Sequence, residues 1–223
     1  MSNPVAVVVG VGPGLGSAVA RRFGRAGYDV ALIARTGSVL TEIGEAMQAD
    51  GVTAGWTTVD ITDAAAFAAA VERFGGHGGR IDALHFNPSA YTDKTALDLT
   101  PDEMLADLNL GVASLLTAVQ AARPFMSSGA RITATGGATA DRPWARAASL
   151  GAQKAALRNL VSALDSALAA DGIRAASITV NGTIAVGTPF DPALIADAVY
   201  ETHMTPSDSW RTEVPYDGAA SPR

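Results

Sequence analysis

The sequence predicts an α/β protein, a doubly wound parallel sheet built as a single domain. Three observations carry this. Short β-rich runs alternate with longer Ala/Leu-rich segments of helical period. The first run, Val5–Val9, is apolar throughout, as a parallel strand covered on both faces must be. The 223 residues, 48% apolar and 17% charged, suffice for one filled core and show no linker or repeat.

In chain order, Val5–Val9 is the first strand and Ser17–Ala26 the helix after it. Val30–Ala34 and Val39–Ala49 give the second strand and helix, and Thr53–Val59 the third strand. Asp63 caps a helix running to about Phe74. Ile81–Phe86 is the fourth strand. Pro101–Met126 reads as one long helix, with Thr100 as cap and Pro101 at its first position. Arg131–Thr135 is the fifth strand. Leu150–Ala170 follows as a second long helix, closed by Asp171-Gly172. Its Leu157, Leu160, Val161, Leu164 and Leu168 recur at the spacing of one buried face. Ile173–Val180 is the sixth strand, Pro192–His203 a short helix and Trp210–Val214 a last short strand. Residues 216–223 read as a loose tail.

Composition narrows the function classes. The net charge of -6 comes with mixed signs and no basic run, which argues against nucleic acid as a partner. There is no cysteine, so thiolate chemistry, disulfides and zinc–cysteine sites are excluded. His77, His85 and His203 are too scattered to suggest a metal cluster. The opening MSNPVAVVVGVG lacks a basic leader and runs straight into a motif that cleavage would destroy. No apolar run approaches the roughly 20 residues that span a bilayer. A soluble, cytoplasmic protein without a membrane partner is expected.

The motif is VVVGVGPGLGSAVARRF, with Gly10, Gly14 and Gly16 between the first strand and the first helix. Side chains there would block a tight turn and the approach of a pyrophosphate to the backbone. The helix start beyond, at Leu15, offers N–H donors and the positive end of the dipole. Nineteen residues after Gly16 stands Arg35, with no acid near it. An acid at the end of the second strand bonds a ribose 2′-hydroxyl, whereas arginine accommodates a 2′-phosphate. NADP(H) is therefore the expected cofactor, with Thr36 and Ser38 as further donors.

With this glycine pattern, Asp60 in TTVDIT, Asn87 after the fourth strand and Lys154 in LGAQKAALRNL, the chain resembles the short-chain dehydrogenase/reductase family from Pro4 to about Gly218. The resemblance implies a Rossmann fold with Asp60 beside the adenine ring. Asn87 is kept from the family's Asn-Asn-Ala-Gly stretch, here Phe86-Asn87-Pro88-Ser89. Asn109 in DLNLGVASLLTAV matches an active-site asparagine, and Gly182 and Ile184 fall near the nicotinamide. Lys154 matches the family's lysine, which holds the cofactor ribose and lowers the pKa of a tyrosine four residues before it. That position is Leu150. The family's serine falls at Gly136, Gly137 or Ala138. Of the four-residue catalytic set, Asn109 and Lys154 remain.

A positioned general acid contributes about 10²–10⁴ in rate, and leucine has no proton to give. Substitute donors in the sequence are Lys154 itself, His85 and Tyr91, while Thr135 and Thr139 are suited to orienting a substrate oxygen. After Ile184 the chain moves almost at once into its last helix, so the lid over the substrate is short or absent. The resulting expectation is an NADPH-dependent oxidoreductase with a non-standard active site, acting on a small molecule such as a carbonyl compound. The alternatives are a catalytically silent NADP(H)-binding sensor or scaffold, and a non-redox lyase or isomerase on the same fold. The resemblance also implies a homodimer or homotetramer, with Leu115, Leu116, Val119, Leu157 and Leu164 as apolar surface.

Overall fold

In the computed structural model, which describes residues 3–218, seven strands form one all-parallel sheet. The strands are β1 (Val5–Val9), β2 (Asp29–Ala34), β3 (Ala54–Thr58), β4 (Ala83–Phe86), β5 (Arg131–Gly137), β6 (Arg174–Val180) and β7 (Glu213–Tyr216). The helices are α1 (Leu15–Arg25), α2 (Gly37–Ala49), α3 (Ala64–Gly78), α4 (Pro101–Leu108), α5 (Ser114–Ala122), α6 (Ala148–Leu168) and α7 (Pro192–Met204). Sheet order is β3-β2-β1-β4-β5-β6-β7. The chain therefore reverses direction across the sheet between β1 and β4, and a crevice opens beyond their carboxyl ends.

Two apolar layers cover the sheet. One packs α3, α5 and α6 on it through Phe67, Val71, Leu115, Val119, Leu157 and Val161. The other packs α1, α2 and α7 through Val19, Phe23, Leu40, Met47, Ile195 and Val199. All five residues of β1 are buried, which is why that strand reads as an unbroken apolar run.

Local signals decide where elements start and stop. Asp63 caps α3, its carboxylate accepting from the Ala66 amide at 3.0 Å. Thr100 and Glu103 form a reciprocal capping box at α4, with Pro101 in the first turn. Gly172 turns the chain into β6 in the left-handed region, at φ 72°.

The long helix expected over Pro101–Met126 is not uniform. One turn of π-helix, Asn109–Ala113, separates α4 from α5, and a tight turn ends the element at Phe125. A π turn inserts one residue and moves carbonyls out of the usual ladder. Here the Asp107 carbonyl accepts from Gln153 Nε2 of α6 at 2.7 Å, and the Ser114 hydroxyl bonds the Asn109 and Ile61 carbonyls. Contrary to the sequence expectation, the stretch Pro101–Phe125 is long and apolar enough to cross a membrane by length and composition. Its acids, Asp102, Glu103 and Asp107, lie in the first turns, and one face of it, with Leu115, Ala118, Val119 and Ala122, is buried against the sheet.

Three further expectations need correction. The last strand is Glu213–Tyr216, not Trp210–Val214. Trp210 precedes it, donating to the Ala175 carbonyl at 3.2 Å and lying under the Arg131 guanidinium, so packing and not pairing holds it. The tail is not loose from Tyr216: that residue ends β7 and its hydroxyl donates to the Pro189 carbonyl at 2.9 Å, while residues 219–223 lie outside the described residues. Leu115, Val119 and Leu157 are not surface, since each is consumed by the core; Leu116 is exposed and Leu164 half-buried.

Gly111, in the π turn, lies where an added Cβ would meet Gln153 Cδ at 2.1 Å. Gln153 is fully buried and tied at both ends of its amide, so it has nowhere to go. Gly111→Ala is expected to destabilise the fold by about 1–3 kcal/mol, read as a lower urea midpoint at unchanged slope.

Candidate active site

The crevice has two wings that meet at Asn87 and Ser89. The first is lined by the β1–α1 turn (Gly10, Val11, Gly12, Pro13), by Arg35 and Thr36 after β2, by Asp60 after β3 and by Leu110 of the π turn.

The turn is shaped for close backbone approach. Gly10 has φ +83°, and a Cβ there would strike Pro88 at 2.9 Å. A Cβ on Gly16 would stand 2.5 Å from the Gly10 carbonyl oxygen, so Gly16 lets α1 seat against the turn. Gly12 and Gly14 face open space. Gly14 is the N-cap of α1 without a side-chain cap, and the first turn, opening at Leu15, holds no acid. The helix start is thus an uncapped, positively polarised cradle that side chains would fill. These residues fit a dinucleotide pyrophosphate.

Arg35 is exposed on the wall of this wing, and no carboxylate among the described residues pairs with it. Thr36 lines the same wall; Ser38 is exposed on α2 but does not line the wing. Asp60 keeps its carboxylate ionised: hydrogen bonds from the Thr62 amide (3.0 Å) and hydroxyl (2.7 Å), then the Arg35 charge, lower its pKa.

The second wing, a cavity of about 500 Å³, runs along β5 and the start of α6. Thr135, Gly136, Gly137, Ala138, Thr139, Leu150, Lys154 and the stretch from Val180 to Ile184 line it, with Arg142 and Trp144 on its outer wall. Lys154 and Leu150, one turn apart on α6, both face this wing. The Lys154 ammonium donates to the Thr135 carbonyl at 2.8 Å, and burial pulls its pKa down to about 8. Gly137 is extended, and a Cβ there would meet the Lys154 stem at an ordinary 3.7 Å. Gly182 lies under the Phe190 ring, where a Cβ would come within 2.3 Å, and Ile184 is partly exposed at the mouth.

Between the wings a buried chain of hydrogen bonds fixes Asn87. Its amide nitrogen donates to the Gly10 carbonyl at 3.1 Å, and its oxygen accepts from the Thr135 hydroxyl at 2.9 Å. With its proton committed there, Thr135 accepts from His85 Nε2 at 3.3 Å, so His85 Nδ1 accepts from Thr133 at 2.8 Å. Burial lowers the His85 pKa to about 3. Both ring nitrogens are used and the ring is neutral, which removes His85 as a proton donor to the cleft.

The structure thus brings Gly10, Arg35, Asp60, Asn87, Lys154, Gly182 and Ile184 to one crevice, with Gly14, Leu15 and Gly16 forming the helix start beneath it. Asn109 is placed differently: it opens the π turn with an exposed side chain, and its neighbour Leu110 lines the cleft instead. Tyr91 is exposed outside the wing, its ring 6.0 Å from that of Trp144. Sequence reasoning missed Ser89, Gln153, Arg142, Trp144 and Asn181. The Ser89 hydroxyl donates to Gln153 Oε1 at 3.1 Å, tying the Asn87 loop to α6. Gln153, adjacent to Lys154 in an otherwise Ala-rich turn, was the one legible signal among them.

Known proteins agree with this geometry. The sequence profile of the short chain dehydrogenase family matches residues 4–191, and the chain belongs to that family. Among its relatives, an uncharacterized oxidoreductase of Mycobacterium tuberculosis is 34% identical over 176 residues, 74% of this chain; the match spans 65% of that protein. A dehydrogenase/reductase from Sinorhizobium meliloti superposes with a TM-score of 0.89 at 22% identity, covering 98% of this chain and 95% of that one, a likeness of fold. A short chain dehydrogenase from Burkholderia cenocepacia, solved in complex with NADP, superposes with a TM-score of 0.88 at 26% identity, with 96% of each chain covered.

The buried lysine gives a pH-dependent stability with a defined sign. Below about 8 it is charged in the folded and unfolded chain alike, and the cost of burying that charge is fully present. Between about 8 and the ordinary 10.5 the unfolded chain binds the extra proton, so stability rises with pH. Relative to Lys154→Met, the parent is expected to gain stability across this window and not below it. Urea melts of both proteins at three pH values check this.

Proposed function

We propose that this protein is an NADPH-dependent oxidoreductase that reduces a small carbonyl compound without a catalytic tyrosine. The observation that carries the reading is Lys154: a buried ammonium on the wall of the second wing, its pKa brought near neutrality by burial and its neighbour one turn back a leucine. The uncapped α1 start and the unpaired Arg35 support a pyrophosphate and a 2′-phosphate in the first wing, as does the NADP bound by the Burkholderia cenocepacia relative. Asp60 would lie by the adenine, and Gly182 and Ile184 by the nicotinamide. Asn109 would act through its backbone, given its exposed side chain.

Bound there, the cofactor would supply a hydride. The chain's part is to hold the substrate carbonyl and return a proton. As the carbonyl carbon takes the hydride, its C=O π bond opens and the oxygen takes a proton from Lys154 Nζ, which solvent restores. Among the groups lining this wing, only Lys154 has a proton available near neutral pH; the Thr135 hydroxyl is committed to Asn87 and His85, and the Thr139 hydroxyl orients but does not ionise. A cytoplasmic location and a homodimer or homotetramer complete the reading.

Leu150 and Gly137 favour a second reading, a silent NADP(H)-binding protein. Gly137 accepts a side chain without strain, so the family's pattern can be restored by Gly137→Ser with Leu150→Tyr.

The first measurement is calorimetric titration with NADPH and NADH. Micromolar NADPH binding is expected, much weaker for NADH, and Arg35→Ala should weaken NADPH alone, by about tenfold or more. Binding of neither cofactor would end the oxidoreductase reading. The second is NADPH consumption over a panel of aldehydes and ketones. The parent should turn over, with kcat/KM falling above pH about 8 as Lys154 loses its proton. Turnover seen solely in the doubly restored variant would establish the silent parent instead.

A further inference from the structure

We propose that the second wing selects substrates carrying a carboxylate on an apolar or aromatic body, and that Arg142 is the residue that binds the carboxylate. The inference rests on the oxidoreductase reading only in taking this wing as the substrate side.

The wing's charge is one-sided. Two cations, Lys154 and Arg142, line it, and no aspartate or glutamate does. The chain carries a net charge of -6, and Arg21, Arg22, Arg80, Lys94, Arg123, Arg146, Arg158 and Arg174 sit in ion pairs, while Arg142 and Lys154 are among the described cations that do not. Arg142 pairs with no carboxylate among the described residues. Its neighbour Asp141 is taken by Arg158, through bonds of 2.6 and 2.7 Å, and Arg158 also holds Glu213 at 2.9 Å. Arg142 Nη2 instead donates to Asn181 Oδ1 at 3.3 Å, while the Asn181 amide nitrogen donates to Asp217 at 2.8 Å. A neutral amide thus stands between Arg142 and the nearest acid of that loop. It orients the guanidinium without neutralising it.

A guanidinium offers five donors in a planar fork that matches a carboxylate, and the single long contact to Asn181 leaves most of them uncommitted. An exposed arginine alone binds anions weakly. At the wall of a cavity with Leu150, Val180 and Ile184 beside it, the same group orients a ligand whose body is buried. Trp144 supplies the flat face for that body. It is 53% exposed and lines the wing, and its ring is tilted by 37° against Tyr91, itself 54% exposed. Two large rings left in water at the mouth of a cavity form an apolar surface that ligand contact would cover.

The test is a calorimetric titration of the full-length protein with 2-naphthoate and with its neutral counterpart 2-naphthamide, both without cofactor and at saturating NADP⁺. The acid is expected to bind about tenfold or more tightly than the amide. Arg142→Gln should erase that difference and Arg142→Lys should restore part of it, with thermal melting unchanged in both. Equal binding of acid and amide, a preference that survives Arg142→Gln, or no binding of naphthoate into the millimolar range would each overturn the proposal. The cofactor-free arm separates this from the reading it rests on: a protein that ignores NADP⁺ yet prefers the acid loses the oxidoreductase reading and keeps the anion pocket.

Discussion

The cleft depends on one clamp, the set of hydrogen bonds that Asn87 makes across the point where the sheet reverses its order. β1 and β4 are neighbours in register at Val9 and Phe86, so Gly10 and Asn87 leave the sheet side by side. Two loops diverging from adjacent strands would splay without a tie. Asn87 supplies it three times: its backbone N–H donates to Val9, its side-chain N–H to Gly10, and its side-chain oxygen accepts from Thr135 of β5. Gly10 must be glycine for the same reason, since its positive φ and the closeness of Pro88 leave no room for a Cβ. The β1–α1 turn and the second wing are therefore held by one side chain.

That clamp is rigid because its polar groups are satisfied down into the core. A buried hydroxyl or imidazole without a partner costs more than a well-made bond returns. In the run Thr133–His85–Thr135–Asn87–Gly10 both hydroxyls, both imidazole nitrogens and both ends of the Asn87 amide have a partner. His85 accordingly stays neutral and serves as an orienter of Thr135. The Thr135 carbonyl then faces the other way, to the Lys154 ammonium, so that β5 positions Asn87 with its side chain and Lys154 with its backbone. A charged amine in that place costs stability, and the Thr135 carbonyl offsets part of that cost.

What was legible in the sequence follows from how local each signal is. The alternating pattern, the Asp63 and Thr100 caps and the glycine turn are written within a few residues, and the structure has them at those positions. Arg35 was legible from its place at the end of the second strand after the glycine turn, whereas Asp60, Asn87 and Lys154 were legible through the family resemblance; the structure puts all four along one crevice. The π turn at Asn109 was not legible, since an uninterrupted apolar period looks the same whether or not one residue is inserted; its signature is Gln153, distant in sequence and bonded to the Asp107 carbonyl. For the same reason the helix faces were misread. Leu115 and Val119 look like spare apolar surface until the sheet they cover is in place. Trp210 followed a β-like pattern, yet its indole N–H is spent on Ala175 and its ring on two guanidinium groups, a tertiary fate without a local mark.

The same distinction explains why the substrate wing carries information that the motif reading could not. The motif comparison takes Leu150 and the three positions Gly136, Gly137 and Ala138 one by one. In three dimensions Leu150 and those three positions all line one cavity, the wing that Lys154 also lines. Arg142 and Lys154 both line that cavity, while Asp141 is hydrogen-bonded to Arg158 and Asp217 to Asn181. An anion entering it meets positive charge at both ends and no repulsion from the lining. The placement of charge therefore argues for an acidic ligand on grounds independent of the missing tyrosine, and it holds whether the chemistry done there is reduction or binding alone.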